Sequence, residues 1–234
     1  MKILLITLFV LTRCFICCGD DEFPLVRLTT QNWDPYQCVT PSGVTGISVE
    51  RVKSILNKMN YRCTIEVLPW KRAQLLVERN EADGFFSASQ NHLRDKYATI
   101  SAPIAVQNWM WYFHKGKVFD ISADQFVTNT KVGVLTGSNM ATWLKTNGFD
   151  HVFESHNMDA LVKRFSTGLL QCVLSNELVM SATLKRLNLS ESDLISKLNR
   201  NKPLGVYFSK KFLHDHPGFI NEFNKYVAVY HTGK

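Results

Sequence analysis

The chain has 234 residues, 45% of them hydrophobic and 20% charged, and a formal charge of +7. That composition is ordinary for a globular protein with one large domain or two small lobes, and it excludes a disordered, collagenous or coiled-coil chain. The basic residues are scattered, with Lys71-Arg72, Lys185-Arg186 and Lys210-Lys211 as the densest pairs, so they describe a solvated surface and not a nucleic-acid face.

Lys2, an apolar run over residues 3–11, the small residues Cys17, Cys18 and Gly19, and the acidic Asp20, Asp21 and Glu22 follow the order of a secretory signal peptide. The run is far short of the roughly 20 apolar residues that span a bilayer. The expected leader is therefore residues 1–19, leaving a mature charge of about +5. The alternative is lipid attachment at Cys17 or Cys18, for which Cys14-Phe15-Ile16 is a poor lipobox.

Residues 25–29 read as a strand, followed by a turn-rich loop over 32–46. Val52, Ile55, Leu56 and Met59 then keep the spacing of one helical face. A strand is expected at 64–68, a helix at 70–79 after Pro69, and a buried strand at 84–88. This alternation builds a parallel sheet with helices on its faces, and it recurs as strand 131–135, helix 138–145, strand 152–154, helix 158–165 and strand 170–174. Asn157 is a suitable cap for the helix carrying Met158, Leu161, Val162 and Phe165.

Between the two units runs the aromatic segment 106–114, an extended strand crossing from one lobe to the other; a second crossing is expected over 203–209. The tail, with Phe219, Ile220, Phe223, Tyr226, Val227 and Tyr230, is an amphipathic helix that needs a core to cover it. The expectation is two lobes, 20–108 with 204–234 and 109–203.

Of the six cysteines, Cys38, Cys63 and Cys172 lie beyond the leader. Cys38 and Cys63 could bridge in an oxidising compartment, closing a loop of about 25 residues worth roughly 3 kcal/mol. Cys172 sits in an apolar run and reads as a buried thiol. The three lack zinc-type spacing, and no metal or cofactor is expected.

Ser87 and Ser89 end the 84–88 strand and Arg94 follows closely. Two hydroxyls and a planar guanidinium can grip one carboxylate as an ammonium could not. The alternative is that Arg94 pairs with Asp83 or Asp95.

With these residues in view, the chain resembles the family 3 bacterial extracellular solute-binding proteins, the periplasmic polar amino-acid-binding class of ABC transporters. The resemblance spans nearly all of the chain after the leader. It rests on Trp33-Asp34-Pro35-Tyr36, Gly46-Ile47, Leu68-Pro69-Trp70-Lys71-Arg72-Ala73, Asp83-Gly84 with Arg94 and Ser101-Ala102-Pro103, then Val132-Gly133-Val134, Gly137-Ser138 and Gly168 to Val173. It implies a two-lobed α/β fold of the type II periplasmic-binding-protein kind, two parallel or mixed sheets joined by two crossing segments and closing on a ligand. Arg94 falls where the family's carboxylate-binding arginine stands, Ser87 and Ser89 where ligands end the strand, and Ser138 and Asn139 at a helix start whose N–H groups suit an anion. Asn176 stands where amino-acid binders of the family place an aspartate for the ammonium group, which puts a standard α-amino acid in doubt.

Trp33 and Tyr36 in the first loop, Trp70 at a helix start and Trp109 at the crossing are candidate pocket walls, with Arg72 turned toward the cleft. No nucleophile elbow, His-Glu-x-x-His or phosphate loop is present in the sequence. The expected function is capture of a small polar solute by a periplasmic monomer that serves an ABC permease or a membrane sensor. The alternative is a dehydratase-like enzyme on the same scaffold, for which Glu50, Glu66 and Glu177 are the candidate carboxylates.

Overall fold

The computed structural model describes residues 23–117 and 119–231, so the expected leader lies outside the described residues, as does the side chain of Tyr230. In chain order the first elements are β1 (Leu25–Thr30), β2 (Cys38–Thr40), β3 (Gly43–Thr45), α1 (Ile47–Lys58), β4 (Arg62–Val67), α2 (Trp70–Glu78), β5 (Gly84–Ala88) and β6 (Ala98–Ile100). There follow β7 (Asn108–His114), α3 (Asp124–Asn129), β8 (Val132–Leu135), α4 (Asn139–Thr146), β9 (Val152–Ser155), α5 (Met158–Ser166), β10 (Cys172–Asn176) and α6 (Glu177–Arg186). The chain ends through β11 (Leu194–Asn201), β12 (Gly205–Ser209), α7 (Lys210–Asp215) and α8 (Phe219–His231).

The strands form two five-stranded sheets in the orders β4-β1-β5-β12-β6 and β11-β7-β10-β8-β9. In the first, β1 runs parallel to β4 and β5 while β12 returns antiparallel between β5 and β6. In the second, β8 runs parallel to β9 and β10, and β7 pairs antiparallel with β10 and β11. This is the two-lobed mixed α/β architecture of type II periplasmic binding proteins. The chain passes between the sheets twice, and the passages touch: Ala105 bridges Leu204, and Lys202 N donates to Gln107 O at 2.8 Å.

Burial follows the sequence periodicity. On α1, Val49, Val52, Ile55 and Leu56 face the first sheet beside Phe219, Phe223 and Val227 of α8, so the tail returns to cover the first lobe. Trp70, Ala73, Leu76 and Val77 of α2 cover the other face of that sheet, against Phe85 and Tyr207. In the second lobe α4 packs over Trp111 and Phe126, while α5 and α6 pack over Tyr112 and Val173.

The loop expected over 32–46 contains the β2–β3 hairpin. It also sends Trp33 and Tyr36 into the apolar cluster of the second lobe, beside Leu135, Met158 and Val179. The expected bridge is corrected: Cys38 and Cys63 are free thiols. Cys38 lies at the cleft mouth, its Sγ donating to Asp34 Oδ1 at 3.0 Å, whereas Cys63 on β4 packs against the α1 and α8 side of the sheet. Cys172 is a buried thiol, and burial pushes its pKa up.

Candidate functional site

The strand β5 is buried along its whole length and delivers Ser87, Ala88 and Ser89 to the face opposing the second lobe. Ser87 holds φ at +59°, a left-handed conformation disfavoured for a residue with a side chain. Its Oγ accepts from Gln37 Nε2, which fixes it there. Such strain clusters at ligand clamps and persists only when the surroundings over-determine it.

A short 3₁₀ turn (Arg94–Lys96) places Arg94 behind this strand end. The side chain is only 4% exposed, and its guanidinium carbon lies 5.3 Å from the Trp70 ring centroid and 5.8 Å from that of Phe85. Nε donates to Gln74 Oε1 at 2.9 Å and Nη1 to Ser89 O at 3.0 Å. Neither acceptor carries charge. Asp83 pairs with Arg27 at 2.9 Å, and Asp95 accepts from Tyr207 Oη at 2.7 Å, so the surface ion pairs considered for Arg94 are not formed. Burial pulls its pKa down to about 10 against weaker opposing effects of Tyr207, Tyr97 and Asp95, and it remains a cation at neutral pH.

The second lobe meets this surface through the start of α4. Ser138 caps the helix, its Oγ accepting from Ala141 N at 3.1 Å. Asn139 crosses the cleft, with Nδ2 within hydrogen-bond range of Ser89 O, Ser89 Oγ and Gln90 O, while its Oδ1 accepts from Asn91 Nδ2 at 2.6 Å. A second lobe-to-lobe contact is Arg186, which pairs with Asp34 of the first loop and Asp159 of α5.

Between the lobes lies an inner recess lined by Arg94, Ser87, Ser89, Trp33, Trp70 and Trp109, and also by Ser138, Asn139 and Asn176. It has room for the centres of one or two waters, about 30 Å³. Gln31, Trp33, Trp70, Leu135 and Met158 line both this recess and an outer compartment of about 810 Å³ on the same measure. The sequence therefore names most of the polar and aromatic walls.

Two expected residues are placed elsewhere. Tyr36 is 1% exposed and borders neither compartment; its Oη donates to Val106 O at 2.8 Å and accepts from Asn176 Nδ2 at 3.2 Å, tying the first loop to the second lobe. Arg72 is exposed, because the buried face of α2 carries Trp70, Ala73, Leu76 and Val77 and turns position 72 to solvent. Asn176 lines the recess but caps α6, its Oδ1 accepting from Val179 N at 3.0 Å.

Gln107 and Gln31 line the recess without a motif to announce them. Gln107 is 3% exposed with Oε1 unpartnered, and Trp109, 2% exposed, has an unpartnered Nε1. Among the described residues no aspartate or glutamate lines the recess, so Arg94 is its single formal charge. Nor do the described residues gather three His, Cys, Asp or Glu side chains that could hold a metal ion.

Two α/β lobes joined by a double crossing thus flank a recess lined from both sides. The chain belongs to the bacterial extracellular solute-binding proteins, family 3, whose family model matches residues 25–232. A search of the curated proteins finds no match to it. Among solved structures it is similar to a histidine kinase sensor domain resembling periplasmic binding proteins, at TM-score 0.79 and 11% identity over 91% of this chain and 92% of that one. Arginine-bound, truncated ArgBP from T. maritima matches at TM-score 0.72 and 13% identity, covering 88% of this chain and 96% of that one. An ancestral amino acid-binding protein, a precursor of cyclohexadienyl dehydratase, matches at TM-score 0.72 and 15% identity over 89% and 90%. At these identities the likeness establishes the fold. Among the described residues no helix is long and apolar enough to cross a membrane.

Proposed function

We propose that this chain is an exported, periplasmic solute-binding protein that captures a small polar solute, anionic or amino-acid-like, in the inter-lobe recess for transport or sensing. One observation carries the reading: a buried guanidinium, Arg94, lines the recess with only neutral acceptors around it. A buried cation without a counter-charge is costly, and an anionic guest supplies the missing partner. Nη2 donates to no described residue, which leaves donors for a carboxylate.

The acidic residues that would favour elimination chemistry lie outside the recess lining. Glu177 accepts from Asn108 Nδ2 at 2.9 Å and Glu50 from Thr45 Oγ1 at 3.1 Å, and Glu66 sits on the edge strand β4. This supports binding over turnover. The arginine-bound and sensor-domain neighbours are consistent with a solute receptor feeding either a permease or a signalling partner.

The test is a thermal-shift screen of the purified protein against amino acids, organic acids and short peptides. A true solute at 100 times its dissociation constant adds about 2.7 kcal/mol to stability. Absence of any Arg94-dependent shift across the screen would sink the reading.

A further inference from the structure

The recess is lined by one formal charge and by two residues that each carry a buried side-chain atom with no partner, and together they specify a guest more narrowly than the family does. Gln107 Oε1 requires a donor and Trp109 Nε1–H requires an acceptor. The two residues are two apart where the first crossing enters β7, so in extended chain they project to the same side. Both line the recess with Arg94. Buried polar atoms left unanswered are rare in native proteins and call for a specific explanation.

Resting on the solute-binding reading, we propose that the guest is a hydroxycarboxylate: its carboxylate meets Arg94, and its hydroxyl accepts from Trp109 Nε1 and donates to Gln107 Oε1. A hydroxyl is a neutral group with both a donor and acceptor lone pairs. The keto acid of the same skeleton accepts from Trp109 but leaves Gln107 Oε1 unpaired. The amino acid satisfies Gln107 but leaves Trp109 without an acceptor, and it brings an ammonium into a recess that no described carboxylate lines. Asn176 offers that ammonium no charge, only an Oδ1 that already accepts from Val179 N. The recess is small enough that the carboxylate and hydroxyl occupy it while the rest of the solute extends past Trp33 and Trp70 into the outer compartment.

Isothermal titration of the purified protein with two matched sets tests this: lactate, pyruvate and alanine, then 3-phenyllactate, phenylpyruvate and phenylalanine. In the set whose skeleton fits, the hydroxy acid is expected to bind about tenfold more tightly than the keto acid and roughly 100-fold more tightly than the amino acid. Gln107→Leu is expected to bring hydroxy and keto acids to parity, and Trp109→Phe, which keeps an aromatic ring, to weaken both about tenfold. A purely structural role for Gln107 would lower all affinities without moving the hydroxy-to-keto ratio, and a purely structural role for Trp109 would weaken the amino acid as much as the other two. An amino acid binding as tightly as its hydroxy acid, no binding by either hydroxy acid, or a ratio untouched by Gln107→Leu overturns the assignment. If one of these occurs while another solute still binds in an Arg94-dependent way, the solute-binding reading stands and only the ligand class is wrong.

Discussion

Asn139 and Ser89 join the two lobes directly: Asn139 Nδ2, at the start of α4, lies 2.9 Å from the Ser89 carbonyl and 2.7 Å from its hydroxyl. The same carbonyl accepts from Arg94 Nη1, so the contact that draws the lobes together also orients the cation beneath. The lobe-to-lobe contact and the proposed anion-binding cation thus share one peptide group.

Loss of the charge at position 94 is expected to weaken capture strongly without unfolding the protein. Arg94→Met retains an apolar stem between Trp70 and Phe85 while removing the guanidinium. A charge-assisted hydrogen bond is worth about 1.5–3 kcal/mol, so affinity for an anionic solute should fall by at least about tenfold. Circular dichroism should be unchanged. Arg94→Lys should recover little, because a point charge cannot reproduce the planar fork.

Asn139→Ala and Arg186→Ala both cut lobe-to-lobe contacts, but their effects should differ. The Arg186 side chain is 44% exposed, and exposed ion pairs contribute about 0–1 kcal/mol. Asn139 bonds in a part-buried setting. Small-angle scattering without added solute is expected to show a larger radius of gyration for Asn139→Ala, with affinity about fivefold lower. Arg186→Ala should stay close to the parent in both measurements, and a larger effect from it than from Asn139→Ala would overturn this ranking of the two contacts.

Glu154 gives lobe 2 an acid-sensitive contact. Desolvation raises its pKa, but the hydrogen bond and charge of Lys145, with smaller contributions from Gly137 N and Lys71, outweigh that and set it below the ordinary 4.5. A carboxylate depressed in the fold stabilises fully above 4.5, and the contribution is lost as pH falls through its lower folded value. Chemical denaturation at a series of pH values should show Glu154→Gln destabilised at neutral pH and converging on the parent in acid.

The thiols should remain unpaired and slow to react. Desolvation and the hydrogen bond to Asp34 push Cys38 up to about 11, which leaves roughly one thiolate in a thousand at pH 8. Intact mass with and without reductant should be identical, and a 2 Da difference would show a bridge.

The strand–helix alternation was legible because burial obeys it: Val52, Ile55 and Leu56 on α1, and Met158, Leu161, Val162 and Phe165 on α5, all face cores. The helix α6 was missed because Thr183 sits among its buried residues and blurs the stripe, its Oγ1 bonding back to Val179 O. Strand β11 was missed for a similar reason, since LISKLNRN at a sheet edge is largely exposed. At the site, Arg94, Ser87, Ser89 and the tryptophans carried chemical signals. Tyr36 gave the same aromatic signal yet serves as a tether, because a loop of no regular period conceals which way its side chains turn. Gln107 gave no motif at all; its polarity inside an aromatic segment was the one available cue.

The side-by-side pairing of Ala105 with Leu204, reinforced by Lys202 N to Gln107 O, makes the connection between the halves a two-ply ribbon instead of two separate tethers. If the halves hinge there, both passages must bend together, and closing would bring Asn139 back to Ser89 and the same walls around a captured solute.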